Sequence, residues 1–364
     1  MRVIISGGGT GGHVYPAIAV ADRLRELDPE VDILFVGALG KMEMEKVPQA
    51  GYRIEGLNIR GLQRKLTVAN LSFPFRLIGS LIKARKLIRQ FKPDVVAGFG
   101  GYASGPTLYM ASLKGIPTVI QEQNSYPGIT NKLLAGRARK ICVAYQGMEK
   151  FFPKESLRLT GNPVRKDLHH LEDKRAEACK HFGLEPDKKT LLLFGGSLGA
   201  RTLNNAMSAA TKILSERDDI QVLWQMGKLY AEQFGTSSTA QLSHVRAQAF
   251  IDRMDLAYSV ADVVICRAGA STISELCLAG ITAILVPSPN VAEDHQTQNA
   301  LALVNVGAAE MVTEAEAETH AVRRALELMM DRERCESFRR QIRSLAMPFA
   351  ADEIAGEIIS AAGS

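Results

Sequence analysis

The sequence predicts two doubly wound α/β units, each a parallel sheet covered by helices. Three observations carry that prediction. A β-rich run, a glycine turn and an amphipathic run open the chain. The same plan restarts near residue 190. The length, 364 residues, suits two ordinary domains with a core each.

The elements follow in order. Val3–Ser6 is a short β-rich run, Gly7–Gly12 the turn, and Pro16–Leu27 the amphipathic run. Val31–Val36, Val95–Ala97 and Thr118–Gln121 are the next apolar strands. From Phe75 the spacing becomes helical, with Leu77, Leu81, Ala84, Ile88 and Phe91 on a stripe assigned to the core. The turn residues Gly161-Asn162-Pro163 mark the domain boundary. The second unit begins with strand Leu191–Phe194, turn Gly195–Gly199 and helix Arg201–Leu214. Strands Val263–Cys266 and Ala283–Val286 follow. In such sheets ligands bind beyond the carboxyl ends of the strands. Two units facing each other would place both glycine turns on one interdomain cleft.

Composition narrows the class. Hydrophobic residues at 46% and charged residues at 23% are a globular balance. The five cysteines are scattered and form no Cys-x-x-Cys pair, which argues against a disulfide framework or a zinc site. Met1–Ser6 runs straight into glycines, so no secretion signal is expected. Ala97–Leu113 is uncharged but broken by glycines and Pro106, unlike a spanning helix. The net charge of +5 hides an asymmetry: residues 1–164 hold 23 basic and 12 acidic side chains, and the remainder is net acidic. A basic half points to a polyanion or an anionic surface.

The first turn, Gly7-Gly8-Gly9-Thr10-Gly11-Gly12-His13, lets backbone approach a ligand at a helix start, where a diphosphate or other anion is the natural guest. It also satisfies the Gly-x-Gly-x-x-Gly dinucleotide pattern, but the following strand ends at Val36-Gly37 without a ribose-binding acid. The Walker pattern fails because no Gly-Lys-Ser/Thr follows. His13 stands at the mouth of the turn, where an imidazole can act as a general base near neutral pH; its bland alternative is a hydrogen-bonding histidine. In Gly195–Gly199, Ser197 can donate to a phosphate. The run Arg267–Glu275 offers small residues, then hydroxyls, then an acid, suited to phosphate and ribose; Glu275 could instead be a first-turn helix acid. Glu293–Asn299 is a dense polar cluster. No Asp-x-Asp pair is present to clamp a metal on a diphosphate, so a metal-independent site is expected.

Gly7–His13 with Val14-Tyr15-Pro16, Gly100–Pro106, Glu122-Gln123-Asn124, Gly161–Arg165, Gly195–Ala200, Arg267–Glu275 and Asp294–Asn299 stand in one order along essentially the whole chain. In that order and spacing they resemble the lipid II-forming peptidoglycan N-acetylglucosaminyltransferases. The resemblance implies the GT-B fold, two Rossmann-like domains facing across a cleft. Residues 1–163 would form the acceptor-binding and membrane-associating domain. Residues 164–364 would form the UDP-sugar-binding domain, with the last helix packing back on the first. It implies inverting transfer of N-acetylglucosamine from its UDP derivative to the 4-hydroxyl of N-acetylmuramic acid in lipid I, an undecaprenyl-linked acceptor, without cofactor or metal. His13 is the implied base. Thr10, Gly11, Gly12, Asn124, Arg165, Ser197, Ile251 and Gln296 would contact the donor. Ala270, Ser271, Thr272, Ile273, Ser274 and Glu275 would hold diphosphate and ribose, with Glu275 on the ribose hydroxyls. The chain departs from the family's usual pattern at Gln121, where histidine is frequent. The runner-up is a UDP-N-acetylglucosamine 2-epimerase, which needs no lipid acceptor; a nucleotide-sugar-binding protein without catalysis and an NAD-dependent oxidoreductase stand further off.

A lipid acceptor demands a membrane surface. Between Gly56 and Pro93 there are nine basic residues and no acid. Leu71, Phe73 and Phe75 precede the helix. Ile78 and Ile82 share a stripe with Arg85 and Arg89, a pattern that inserts shallowly while pairing with lipid phosphates. The expectation is a peripheral protein on the cytoplasmic face of the inner membrane, with other cell-wall synthesis proteins as possible partners.

Overall fold

The computed structural model describes residues 1–61, 73–196 and 198–363. The chain divides into two compact units: Met1–Val164 with Met347–Ser364, and Arg165–Ala346.

In the first unit the strands are β1 (Arg2–Ser6), β2 (Asp32–Ala38), β3 (Arg53–Leu57), β4 (Val95–Gly98), β5 (Thr118–Glu122), β6 (Lys140–Val143) and β7 (Leu157–Leu159). They form one parallel sheet in the order β3-β2-β1-β4-β5-β6-β7. Val3, Ile4 and Ile5 are fully buried, since β1 is covered on both faces, and so its sequence is continuously apolar rather than alternating. Helix α1 (Gly11–Leu27) follows β1, α2 (Glu43–Gln49) follows β2, α3 (Phe73–Phe91) precedes β4, and α4 (Ser104–Ser112) follows β4. The closing helix of the chain, Ala350–Ala362, buries Ile354, Ala355 and Ile358 in the core that α1 also covers. Ion pairs Arg23–Asp352 and Arg158–Glu357 flank it.

Three details differ from the sequence expectation. Phe73 and Phe75, expected to precede the helix, lie within its first turn, and Leu71 lies outside the described residues. Helix α1 begins at Gly11, five residues before the amphipathic run, because first-turn amides need no intrahelical partner and the glycines there are sterically free. On α3 the buried residues are Ser80, Ala84, Leu87 and Ile88, with Leu77, Leu81 and Phe91 only half-buried. The seam is rotated toward Leu87 relative to the stripe read from spacing. Phe75, Ile78 and Ile82 remain on the outside at 78, 55 and 66% exposure, alongside exposed Arg85 and Arg89, while Phe73 is half-buried. The outer apolar stripe of α3 is therefore not part of the core.

The second unit repeats the topology. Strands β8 (Lys189–Phe194), β9 (Ile220–Gln225), β10 (Val245–Gln248), β11 (Val263–Cys266), β12 (Thr282–Leu285) and β13 (Glu310–Met311) are parallel in the order β10-β9-β8-β11-β12-β13. Helix α5 (Arg201–Ala209) follows β8, α6 (Ala270–Ala279) follows β11, and α7 (His295–Val304) lies beyond β12. The helix expected over 201–214 breaks at Ala210 and resumes as Thr211–Ser215. Trp224 is fully buried in this core, its indole N–H donating to Asn204 on α5.

Both sheets change direction at their first strand: chain order runs outward from β1 and β8 on one side and resumes on the other with β4 and β11. The loops after those strands flank a topological switch point in each unit, which is where open α/β sheets bind ligands.

Candidate functional site

In the first unit, the switch point brings the loop after β1 against the loop after β4. His13 is the third residue of α1, and its Nδ1 lies 2.9 Å from the Gly8 carbonyl oxygen and 3.3 Å from Thr10 Oγ1. A carbonyl only accepts, so the Gly8 contact requires the proton on Nδ1 and puts the lone pair on Nε2. The ring packs against Gly100, where an added Cβ would stand 2.9 Å from Nε2; this approach requires glycine, whose φ there is +87°. Thr10 occupies the N-cap position of α1 but makes no capping bond, and its hydroxyl turns to His13 instead. Thr10 is exposed, and Gly11 and Gly12 are half-buried in the first turn.

The first turn is not a vacant anion cradle. Gly9 N–H donates at 2.8 Å to the carboxylate of Glu43, a side chain 1% exposed. The carboxylate that this loop holds is the protein's own, and it engages the Gly9 amide. The dinucleotide reading weakens for the same reason: the acid that follows β2 turns inward to the loop.

Around the end of β5, Gln121, Gln123, Asn131 and Asn162 are buried and bonded to one another and to main chain. Glu122 accepts from Asn124 N–H, Gly128 N–H and Asn131 Nδ2. Burial pushes its carboxyl up, against those bonds. Asn124 is half-buried, and its amide also reaches Glu122.

In the second unit, Gly269 is the N-cap of α6 and has extended φ/ψ. No side chain caps the helix, and its first turn carries no acid. Its dipole and first-turn amides are suited to a diphosphate. Ala270 and Ile273 are buried, so their side chains face the core and only main chain is offered there; Ser271, Thr272 and Ser274 are half-buried. Ser274 Oγ donates to Ala270 O. Glu275 is the sixth residue of the helix, too deep for the first-turn reading. Its Oε2 accepts from Tyr258 Oη at 2.8 Å, and Arg165 Nε lies 3.7 Å from Oε1. Burial pushes the Glu275 carboxyl up, opposed by the Arg165 guanidinium and the Tyr258 hydroxyl.

Gln225 at the end of β9 links the neighbouring loops, donating to Gly196 O and accepting from Ile251 N–H. Ile251 is 2% exposed, so its side chain is unavailable to a ligand. Gln296 Oε1 accepts from Ser288 N–H, which orders the loop before α7. Glu293 and Asp294 both have left-handed φ, at +57° and +51°, a strained pair of the kind that clusters at binding loops. Ser197 lies outside the described residues. The Arg267 guanidinium is engaged within the unit, donating to Val286 O, Pro287 O and Glu314.

Comparison with known proteins shows the family and the fold. Residues 3–143 match the glycosyltransferase family 28 N-terminal domain, and residues 190–353 match its C-terminal domain. The chain belongs to glycosyltransferase family 28. It is 52% identical over 364 residues to a Bacteroides fragilis protein named UDP-N-acetylglucosamine–N-acetylmuramyl-(pentapeptide) pyrophosphoryl-undecaprenol N-acetylglucosamine transferase, covering 100% of this chain and 96% of that one. A Parabacteroides distasonis protein of the same name is 54% identical over 360 residues, covering 98% and 97%. Among solved structures, Acinetobacter baumannii MurG superposes with a TM-score of 0.79 at 30% identity, covering 99% of each chain. A Neisseria meningitidis UDP-N-acetylglucosamine 2-epimerase superposes with a TM-score of 0.69 at 12% identity over 99% of this chain and 100% of that one, a likeness of fold alone.

As a family 28 enzyme the chain is a glycosyltransferase of GT-B fold. Three residues of the site escaped the sequence reading. Glu43 is one of two first-turn acids in a short helix, Tyr258 reads as an ordinary apolar-face tyrosine, and Gln225 ends a buried strand. None has a local signal, because each acts by reaching a residue distant in sequence.

Proposed function

We propose that this enzyme transfers N-acetylglucosamine from UDP-N-acetylglucosamine to the 4-hydroxyl of the N-acetylmuramic acid of lipid I, giving lipid II. The observation that carries the reading is the identity of 52–54% to the named transferases over essentially the whole chain, with the switch-point groups in place in each unit. The donor belongs to the second unit. The start of α6 receives the diphosphate, and Glu275 accepts from the ribose hydroxyls, held by Tyr258 and Arg165. Arg165 and Gln296 border the donor, with Thr10, Gly11, Gly12 and Asn124 contributing from the first unit.

The chemistry is one displacement. The acceptor oxygen bonds to C1 of the sugar as the C1–oxygen bond to the diphosphate breaks, with inversion. The hydroxyl proton passes to His13 Nε2, and UDP leaves. Negative charge grows on the diphosphate, where the oriented amides and dipole of α6 stabilise it. General-base assistance by His13 is worth roughly 10²–10⁴ in rate.

The lipid acceptor is reached through the outer face of α3. Phe75, Ile78 and Ile82 are exposed beside Arg85 and Arg89, and Phe73 borders them. Shallow insertion with arginines on lipid phosphates fits that face, each basic residue contributing about 1 kcal/mol. Among the described residues no helix is long and apolar enough to cross a membrane. The enzyme then works as a peripheral protein on the cytoplasmic face of the inner membrane.

The test is incubation with UDP-N-acetylglucosamine and a short-chain lipid I analogue, followed by mass analysis. Addition of one N-acetylhexosamine to the acceptor with release of UDP is expected. An unmodified acceptor with epimerised donor would establish the epimerase reading instead.

A further inference from the structure

We infer that Glu43 is a positioning residue for His13, acting through the peptide bond that joins Gly8 to Gly9. The carboxylate and the imidazole do not bond each other directly. Glu43 Oε2 accepts from Gly9 N–H at 2.8 Å, and His13 Nδ1 stands 2.9 Å from Gly8 O. That N–H and that C=O belong to one planar trans unit, so they point in opposite directions. Fixing the N–H on Glu43 aims the C=O at His13. The order is carboxylate, peptide, imidazole, with the peptide in the middle place.

The carboxylate is itself held. Its other oxygen, Oε1, accepts from Ala38 N–H at 2.9 Å. Both oxygens act as acceptors, as an ionised carboxylate does. A Cβ at either Gly8 or Gly37 would overlap the Glu43 side chain, so the chain leaves room for it beneath the loop on two sides. A helix-start acid serving only the dipole of α2 would sit in solvent; this one is 1% exposed. The Gly8 carbonyl is confined as well, since a Cβ at Gly101 would overlap it.

Two consequences follow for the reaction, and both rest on the reading of His13 as base. The Gly8 carbonyl fixes the Nδ1–H tautomer, so Nε2 is the nitrogen that accepts the hydroxyl proton. A carboxylate on the amide N–H polarises the peptide and strengthens its carbonyl as an acceptor, which favours the imidazolium once formed. No proton travels through the peptide, and Glu43 acts only by holding the Gly9 N–H.

The full chain labelled with ¹⁵N-histidine tests this at one fixed neutral pH. Long-range ¹H–¹⁵N correlation reports the tautomer of each ring, and His13 is assigned by the signal lost in His13→Gln. The wild type should show His13 mainly as Nδ1–H, and Glu43→Gln should lose that preference. An Nε2–H ring in the wild type overturns the proposal even if no Glu43 variant folds, as does an unchanged tautomer in Glu43→Gln. Kinetics form a second arm. Glu43→Gln should lower kcat roughly tenfold or more, as loss of an orienting acid does elsewhere, with donor KM within about twofold. In a His13→Ala background the same change should alter kcat by less than about twofold. Equal losses in both backgrounds would make Glu43 a structural staple and reject the relay. Full turnover by His13→Ala alone would remove the base reading, and the tautomer measurement would still judge Glu43.

Discussion

Replacing Glu275 separates its binding role from its cost to the fold. The carboxylate accepts the Tyr258 hydroxyl at 2.8 Å and lies near the Arg165 guanidinium, in a setting buried enough to push its carboxyl up. A ribose hydroxyl donating to such a carboxylate contributes about 1.5–3 kcal/mol, so Glu275→Ala should weaken UDP binding by roughly ten- to a hundredfold. The same change strands the buried Tyr258 hydroxyl and should lower stability by about 1–3 kcal/mol. Glu275→Gln keeps an acceptor for Tyr258 and removes the buried charge. The folded-state pKa of Glu275 is raised, so its favourable contribution is complete below the ordinary glutamate pKa and is lost as pH rises through the raised value. Glu275→Gln should therefore match or exceed the wild-type Tm at neutral pH, and its advantage should shrink in acid. Calorimetric titration of UDP into each folded variant, with thermal melts at both pH values, measures all of this. UDP affinity within about twofold of wild type in Glu275→Ala would refute the ribose assignment.

Three further outcomes are expected. His13→Ala should lower kcat by roughly 10²–10⁴ while UDP affinity holds; a parallel collapse of affinity, read by the same titration, would make the residue a binding one. Replacing Ile78 and Ile82 by Ser together with Arg85 and Arg89 by Gln should release the protein from anionic vesicles in co-sedimentation while activity on a soluble short-chain acceptor survives; undiminished vesicle binding would place the membrane contact elsewhere. Asn204→Ala removes the partner of the Trp224 indole N–H and a donor to Met226 O, both buried, and should cost roughly 2–4 kcal/mol in denaturant unfolding with the fold otherwise kept.

The order of strands and helices was legible in the sequence because buried parallel strands read as apolar runs and glycine turns punctuate them. Val263–Cys266 is the same segment in both readings. Runs of that kind depend on nearest neighbours along the chain, which the sequence displays directly. The exposed stripe of α3 was legible for the same reason: helical spacing fixes which residues share a face. Spacing did not say where the core seam lies, and tertiary packing moved it toward Leu87.

What the sequence alone determined is the two-unit α/β plan, the family, and the chemical types gathered at each turn. What only the tertiary structure decided is which of those groups are already engaged. The first glycine turn looks like an anion site by composition. It is occupied by Glu43, 34 residues on from the Gly9 amide it accepts from. Glu275 looks like a helix-start acid, yet the structure pairs it with Tyr258 and Arg165. Ile251 and Ile273, which the resemblance places at the donor, have buried side chains. A hydrogen bond or a burial constrains two positions far apart in the chain at once, and no local pattern records the second.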